Sequence, residues 1–223
     1  MGYDRTVTTL LDYLLHLDRH LDALLLTYGT WTYAIVFLVV FAETGFVATP
    51  FLPGDSLLFA LGTFAARGTL DLGVLLGGLA AAAILGDTVN YWAGYHVGPR
   101  VFRQERSRLF RREHLERTHR FYEKYGAATI ILARFVPVVR TFAPFVAGIG
   151  RMTYPRFLLY NVVGGVAWVG LFVAGGYLFG TLPWVERNFS VAVLLIIAAS
   201  LVPLALEVWR HRRPRPAGVG EEA

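Results

Sequence analysis

Five charged side chains stand where charge is costly. Glu43, Asp55, Asp87, Arg134 and Arg140 all lie in or beside apolar sequence. One such charge at the centre of a bilayer costs about 2.5–3.5 kcal/mol on insertion scales. The five are therefore expected to pair with one another or to line a wet cavity, and Glu43 and Asp87 have the further option of sitting at a membrane surface. Arg134 and Arg140 flank Pro137 at three residues on either side. On a helix-breaking loop, that spacing can present two guanidinium forks to one phosphate. Broken half-helices would add their N-terminal amides to the same anion. An apolar cavity disfavours bare charge, so Glu43 and Asp55 are candidates to take up and release protons. Neighbouring arginines oppose that uptake, so anion binding and protonation should be coupled. The plain structural alternative is a set of salt-bridged staples with no transport role.

The sequence around these residues belongs to a membrane. Of 223 residues, 55% are hydrophobic and only 17% charged, against about 25% charged in a soluble domain. No charged side chain occurs from Phe157 to Val185 or from Asn188 to Leu206. Each stretch approaches or exceeds the roughly 20 apolar residues a crossing helix needs. A soluble enzyme, a secreted domain and a disordered chain are excluded. There is no cysteine, hence no disulfide, thiolate metal site or cysteine nucleophile.

Residues 8–26 place Leu10, Leu14, Leu17, Leu21, Leu24 and Leu25 on one helical face and Asp12, His16, Arg19 and His20 on the other. That pattern predicts a helix lying in the interface. His16 and His20 are four apart, but a solvated polar face accounts for them better than a metal site, so neither a metal nor another cofactor is expected. An apolar run from Trp31 to Ala42, with Leu24 to Tyr28 ahead of it, predicts a first span. Pro50, Pro53 and Gly54 then break the chain before the uncharged residues 56–66, which suggests a re-entrant hairpin. Residues 72–98 predict a second span, interrupted by Asp87. Residues 127–148 are apolar, carry Arg134 and Arg140, and are broken by Pro137 and Pro144, which suggests a second re-entrant hairpin. Residues 157–180 and 188–208 predict two more spans.

The expected fold is therefore all-α and integral to the membrane. It has about four transmembrane helices, two opposed re-entrant hairpins and an N-terminal interfacial helix. Pro50, Pro53, Asp55 and Gly62 in the first half answer Pro137, Arg140, Pro144 and Gly148 in the second, a weak repeat that would be inverted. Interrupted apolar segments at corresponding positions of two halves point to a transporter site near the midplane. The domain reading is 1–29 interfacial helix, 30–209 membrane domain and 210–223 basic-then-acidic tail. Residues 100–124 hold eight arginines and Lys124, and the tail holds Arg210, Arg212, Arg213 and Arg215. The positive-inside rule places these stretches and both termini in the cytoplasm. The arginines report topology and anionic lipid, not nucleic acid. Gly164-Gly165, Gly170 and Gly175-Gly176 allow close helix contact, within one chain or in a homodimer.

Glu43 through Pro53-Gly54-Asp55, Gly86-Asp87 with Tyr91 and Gly94, Arg134 through Arg140 to Gly148, and then Phe157, Asn161, Gly165 and Trp168 resemble the DedA family, also called SNARE-associated or VTT-domain membrane proteins. The resemblance covers roughly residues 30–185. It implies a bacterial cytoplasmic-membrane protein that flips a lipid phosphate (undecaprenyl phosphate or a phospholipid), coupled to protons or sodium. It implies that Glu43 and Asp55 match the family's essential acidic pair and Arg134 and Arg140 its essential arginine pair. Asp87 and Asn161 are accessory candidates. A proton-coupled exporter of small cations or drugs is the alternative, with the arginines as counter-ions. A lipid-phosphate enzyme is disfavoured. His96 is the one histidine in predicted membrane sequence, and no Gly-x-Ser-x-Gly or His-Glu-x-x-His pattern occurs.

Overall fold

The computed structural model describes residues 28–46, 54–102, 129–196, 198–199 and 202. The predicted interfacial helix, the tip of the first hairpin at 47–53, the arginine-rich loop from 103 and the tail lie outside the described residues. Among those described there is no strand. The helices are α1 (Trp31–Gly45), α2 (Gly54–Ala66), α3 (Leu72–Phe102), α4 (Pro137–Ile149), α5 (Tyr154–Phe179) and the short α6 (Pro183–Arg187). Residues 129–133 and 189–196 are also helical. Two of these helices are long and apolar enough to cross a bilayer, over Leu72–Val97 and Tyr154–Phe179. Their outer faces carry exposed Leu85, Val89, Leu159, Val163, Val166 and Leu171, as helices facing hydrocarbon do.

The helix α1 has 15 residues and α2 has 13. At 1.5 Å per residue they reach about 20–22 Å, short of the roughly 30 Å hydrocarbon core. Their directions are fixed by what they touch. The Asp71 N–H donates to the Tyr33 hydroxyl at 2.7 Å, and the Asn90 amide donates to the Thr44 carbonyl at 3.2 Å. So α1 runs parallel to α3, and α2, between them in sequence, must run back. The end of α1 meets the start of α2, where the Gly54 N–H donates to Glu43 Oε1 at 3.2 Å. The sequence reading made the apolar run ending at Ala42 a span. In the structure its described part, α1, lies along α3 with its first turn beside the α2–α3 turn and its last turn against the start of α2. At that turn Arg67 pairs with Glu186, which follows α5, at 3.4 Å.

The second half repeats the pattern in the opposite sense. Val136 is extended, as the residue before a proline prefers, and Pro137 opens α4. Pro144 lies inside α4. It has no N–H, so the Arg140 carbonyl loses its helical donor. The helix α4 runs parallel to α3, with Thr141 against Asn90 and Phe145 against Gly94. The chain then reverses into α5, which is antiparallel to α3. Tyr91 stacks on Phe157 at 4.5 Å between ring centroids, and the Asn161 amide donates to the Ile84 carbonyl at 3.0 Å.

The two halves exchange partners. From the first half, α2 packs along α5; from the second, α4 packs along α3. Glycines let the backbones touch at matching places. Gly62 faces the backbone of Val173 and Tyr177, and Gly176 faces Phe59. Gly148 faces the backbone of Tyr91 and Tyr95, and Gly94 faces Phe145. The register is the same in both, since Phe59 and Gly62 each lie 86 positions before Phe145 and Gly148, and Tyr91, Gly94 and Tyr95 each lie 82 before Val173, Gly176 and Tyr177. Two apolar cores result. One gathers Val40, Leu58, Phe64, Leu79, Val173 and Phe189; the other gathers Tyr91, Ile130, Ala143, Ala147 and Phe157. The polar layer lies between them along α3 and α5.

Candidate functional site

Arg140 is at the start of α4, one turn after the break at Pro137. Its side chain is buried, yet its guanidinium is engaged from three directions. Nη1 donates to Asp55 Oδ1 at 2.8 Å, and Nη2 pairs with Glu43 Oε1. The Trp168 ring of α5 lies against it, with the guanidinium carbon 5.0 Å from the ring centroid. The Trp168 indole N–H donates to the same Asp55 oxygen at 2.9 Å. Glu43 ends α1 and Asp55 begins α2, so one arginine of the second fold-back holds both arms of the first. Gly54 is needed here, because a Cβ at that position would meet the Glu43 carboxylate.

Arg134 sits at the other break, in the turn after helical residues 129–133. Its Nη2 pairs with Asp87 of α3 and with the Asn161 side-chain oxygen of α5. The Asn161 amide is anchored in turn on the Ile84 carbonyl of α3 at 3.0 Å. The arginine lies over Gly164 and Gly165. A Cβ on Gly164 would come within 3.2 Å of Arg134 Cδ, so the glycine makes the seat. Neither Arg134 Nε nor Arg140 Nε has a hydrogen-bond partner among the described residues.

All six sequence candidates are therefore buried, in two adjoining groups: Glu43, Asp55 and Arg140, and Asp87, Arg134 and Asn161. Glu43 is 0% and Asp87 4% exposed. Helix packing on both sides closes over them. The arginines do not converge on one empty anion position: Arg140 is taken up by two carboxylates, and Arg134 by Asp87 and the Asn161 side-chain oxygen. Three acids meet two guanidiniums, so the layer holds one excess negative charge or one bound proton. Two residues escaped the sequence reading as site members. Trp168 was visible only as part of the family pattern. Asn90 lies three residues from Asp87 and so shares its helix face, a signal that was available. His96 is exposed and bonds the Trp92 carbonyl of its own helix at 2.8 Å, so it serves neither arginine.

Residues 52–178 match the VTT domain family. The chain is 52% identical over 206 residues to Protein DedA of Escherichia coli (strain K12), covering 92% of this chain and 94% of that protein. It is 44% identical over 186 residues to the uncharacterized membrane protein Rv0364 of Mycobacterium tuberculosis, covering 81% and 82%. It is 34% identical over 188 residues to inner membrane protein YqjA of Escherichia coli (strain K12), covering 81% and 85%. No solved structure matches. None of these three relatives carries an enzyme's name.

Proposed function

The chain belongs to the DedA family of VTT-domain membrane proteins, and from that premise we propose that it flips a lipid phosphate across the bacterial cytoplasmic membrane, coupled to a cation gradient. One observation carries the reading: the Arg140 guanidinium is bound by the carboxylates of both arms of the opposing fold-back. A phosphate and a carboxylate compete for the same planar fork. The lipid headgroup can take Arg140 only when Glu43 and Asp55 let go, and protonating them removes the charge that holds it. A sodium ion drawn to the carboxylates would act in the same sense. Proton or sodium entry from one face thus exchanges the arginine's partner, while the hydrocarbon chain stays in lipid. Arg134, held by Asp87 and Asn161, offers the second fork. A small-cation exporter would want its carboxylates unclaimed, and here they are claimed by an arginine.

The experiment is transport of fluorescent undecaprenyl phosphate and of phospholipids in proteoliposomes, with and without a pH or sodium gradient. Glu43→Gln and Asp55→Asn keep size and most hydrogen bonding but cannot titrate. Both variants are expected to bind the lipid phosphate and to lose the gradient dependence of its flux. Abundant variants with an unchanged pH dependence would move the coupling to sodium, or leave passive scrambling. Arg140→Lys keeps the charge without the fork and is expected to lose most flux while still inserting.

This reading places both fold-backs in the membrane as re-entrant hairpins, entering from opposite faces. The absence of native cysteine makes single-cysteine labelling clean. Thr30→Cys and Thr69→Cys should react from the same side, and Arg151→Cys from the opposite one. Reaction of positions 30 and 69 from opposite faces would make α1 part of a true span.

A further inference from the structure

We propose that Asn90 is the positioning residue that seats Arg140 opposite Glu43. Its side chain is fully buried on α3. Its amide nitrogen donates to the Thr44 carbonyl at 3.2 Å and to the Thr141 carbonyl at 2.7 Å. Thr44 follows Glu43 and Thr141 follows Arg140, so one amide group ties together the residues next to each member of the ion pair. Both acceptors are carbonyls, which an amide nitrogen can satisfy and an amide oxygen would repel; this orients the side chain.

The Thr44 carbonyl needs such a donor. Thr44 lies in the last turn of α1, where carbonyls have run out of helical N–H groups. Thr141 follows Arg140, whose own carbonyl is the one that Pro144 leaves without a helical N–H. The two fold-backs come from opposite halves of the chain, and α3 passes between their inner ends. Asn90 therefore fixes their separation at the level of the charges. Glycine supports the same approach: Gly45 packs on Gly86, one turn before Asn90, and a Cβ on Gly86 would meet Thr44 Oγ1.

The part this seating plays in transport rests on the flippase reading; the seating itself does not, and the test separates the two. Melting midpoints of purified protein give the Glu43–Arg140 coupling from Glu43→Gln, Arg140→Lys and the double variant, each made with Asn90 and with Asn90→Leu. A positioning role predicts that the coupling falls to less than half with leucine at position 90. A merely structural role lowers every midpoint equally and leaves the coupling unchanged, which would overturn the proposal. Asn90→Ser, which keeps one donor, serves if leucine prevents folding, and should give an intermediate coupling. Lipid flux is measured alongside. If the wild-type protein moves no lipid phosphate, the functional reading fails, and the coupling still decides the role of Asn90.

Discussion

Arg140→Gln is expected to lower the amount of folded protein in the membrane several-fold. The substitution leaves Glu43 and Asp55 buried without the guanidinium that both of them hold. Removing one partner of a buried ion pair costs about 3–5 kcal/mol, because the remaining charge has no water to return to. A folded domain has about 5–15 kcal/mol in all, so much of its stability would go. Adding Glu43→Gln and Asp55→Asn to the same chain removes the stranded charge, and abundance should recover. Transport should not, since neither the fork nor the titrating groups remain. Recovery of both would make the cluster a staple and nothing more. Wild-type abundance of Arg140→Gln alone would show that the carboxylates are not sealed against that arginine.

The second large effect is steric. Gly176→Ala sets a methyl group against the carbonyl oxygen of Phe59, and Gly148→Ala sets one against the backbone of Tyr91 and Tyr95. Backbone cannot rotate away as a side chain can, so the helices must separate along their whole contact. Overpacking costs roughly 1–3 kcal/mol even where side chains can yield, and these variants should fall at or beyond the upper end. Gly77 and Gly170 supply the control, because a Cβ at either meets nothing within 4 Å. Alanine there should be neutral or should stabilise by about 0.5–1 kcal/mol through helix propensity. Thermal unfolding of the four variants in one detergent checks this. A Gly148→Ala midpoint equal to that of Gly170→Ala would contradict the close approach of α3 and α4.

The parts of this molecule legible in the sequence are those set by local pattern. The uncharged run from Phe157 and the apolar run interrupted by Asp87 correspond to α5 and α3, and Pro137 with Arg140 marks the second break. Gly62 and Gly148 stood out as repeat mates before their contacts were known. What stayed hidden depends on partners far along the chain. An apolar run that ends at Ala42 reads the same whether it crosses the membrane or turns back halfway. The contact between Tyr33 and Asp71, far apart in the chain, is what sets α1 parallel to α3. The pairing of Arg134 with Asp87, and of Arg140 with both Glu43 and Asp55, spans 47 to 97 positions. Periodicity carries no information at that range. Asn90 shares a helix face with Asp87, but its role depends on two carbonyls 46 and 51 positions away.

The exchange of partners between halves has a consequence for how the protein is made. Phe59 rests on Gly176, and Asp55 waits for Arg140 and Trp168. Translation at about 5–20 residues per second separates Phe59 from Gly176 by roughly 6–23 s. For much of that interval α2 has left the ribosome with its seat on α5 not yet synthesised, and Asp55 has neither Arg140 nor Trp168 to meet. The first half cannot complete a core by itself, so final assembly waits until α5 is in the membrane. A nascent chain arrested before residue 154 should accordingly be captured by membrane insertion factors or proteases, whereas one arrested beyond residue 200 should already resist them.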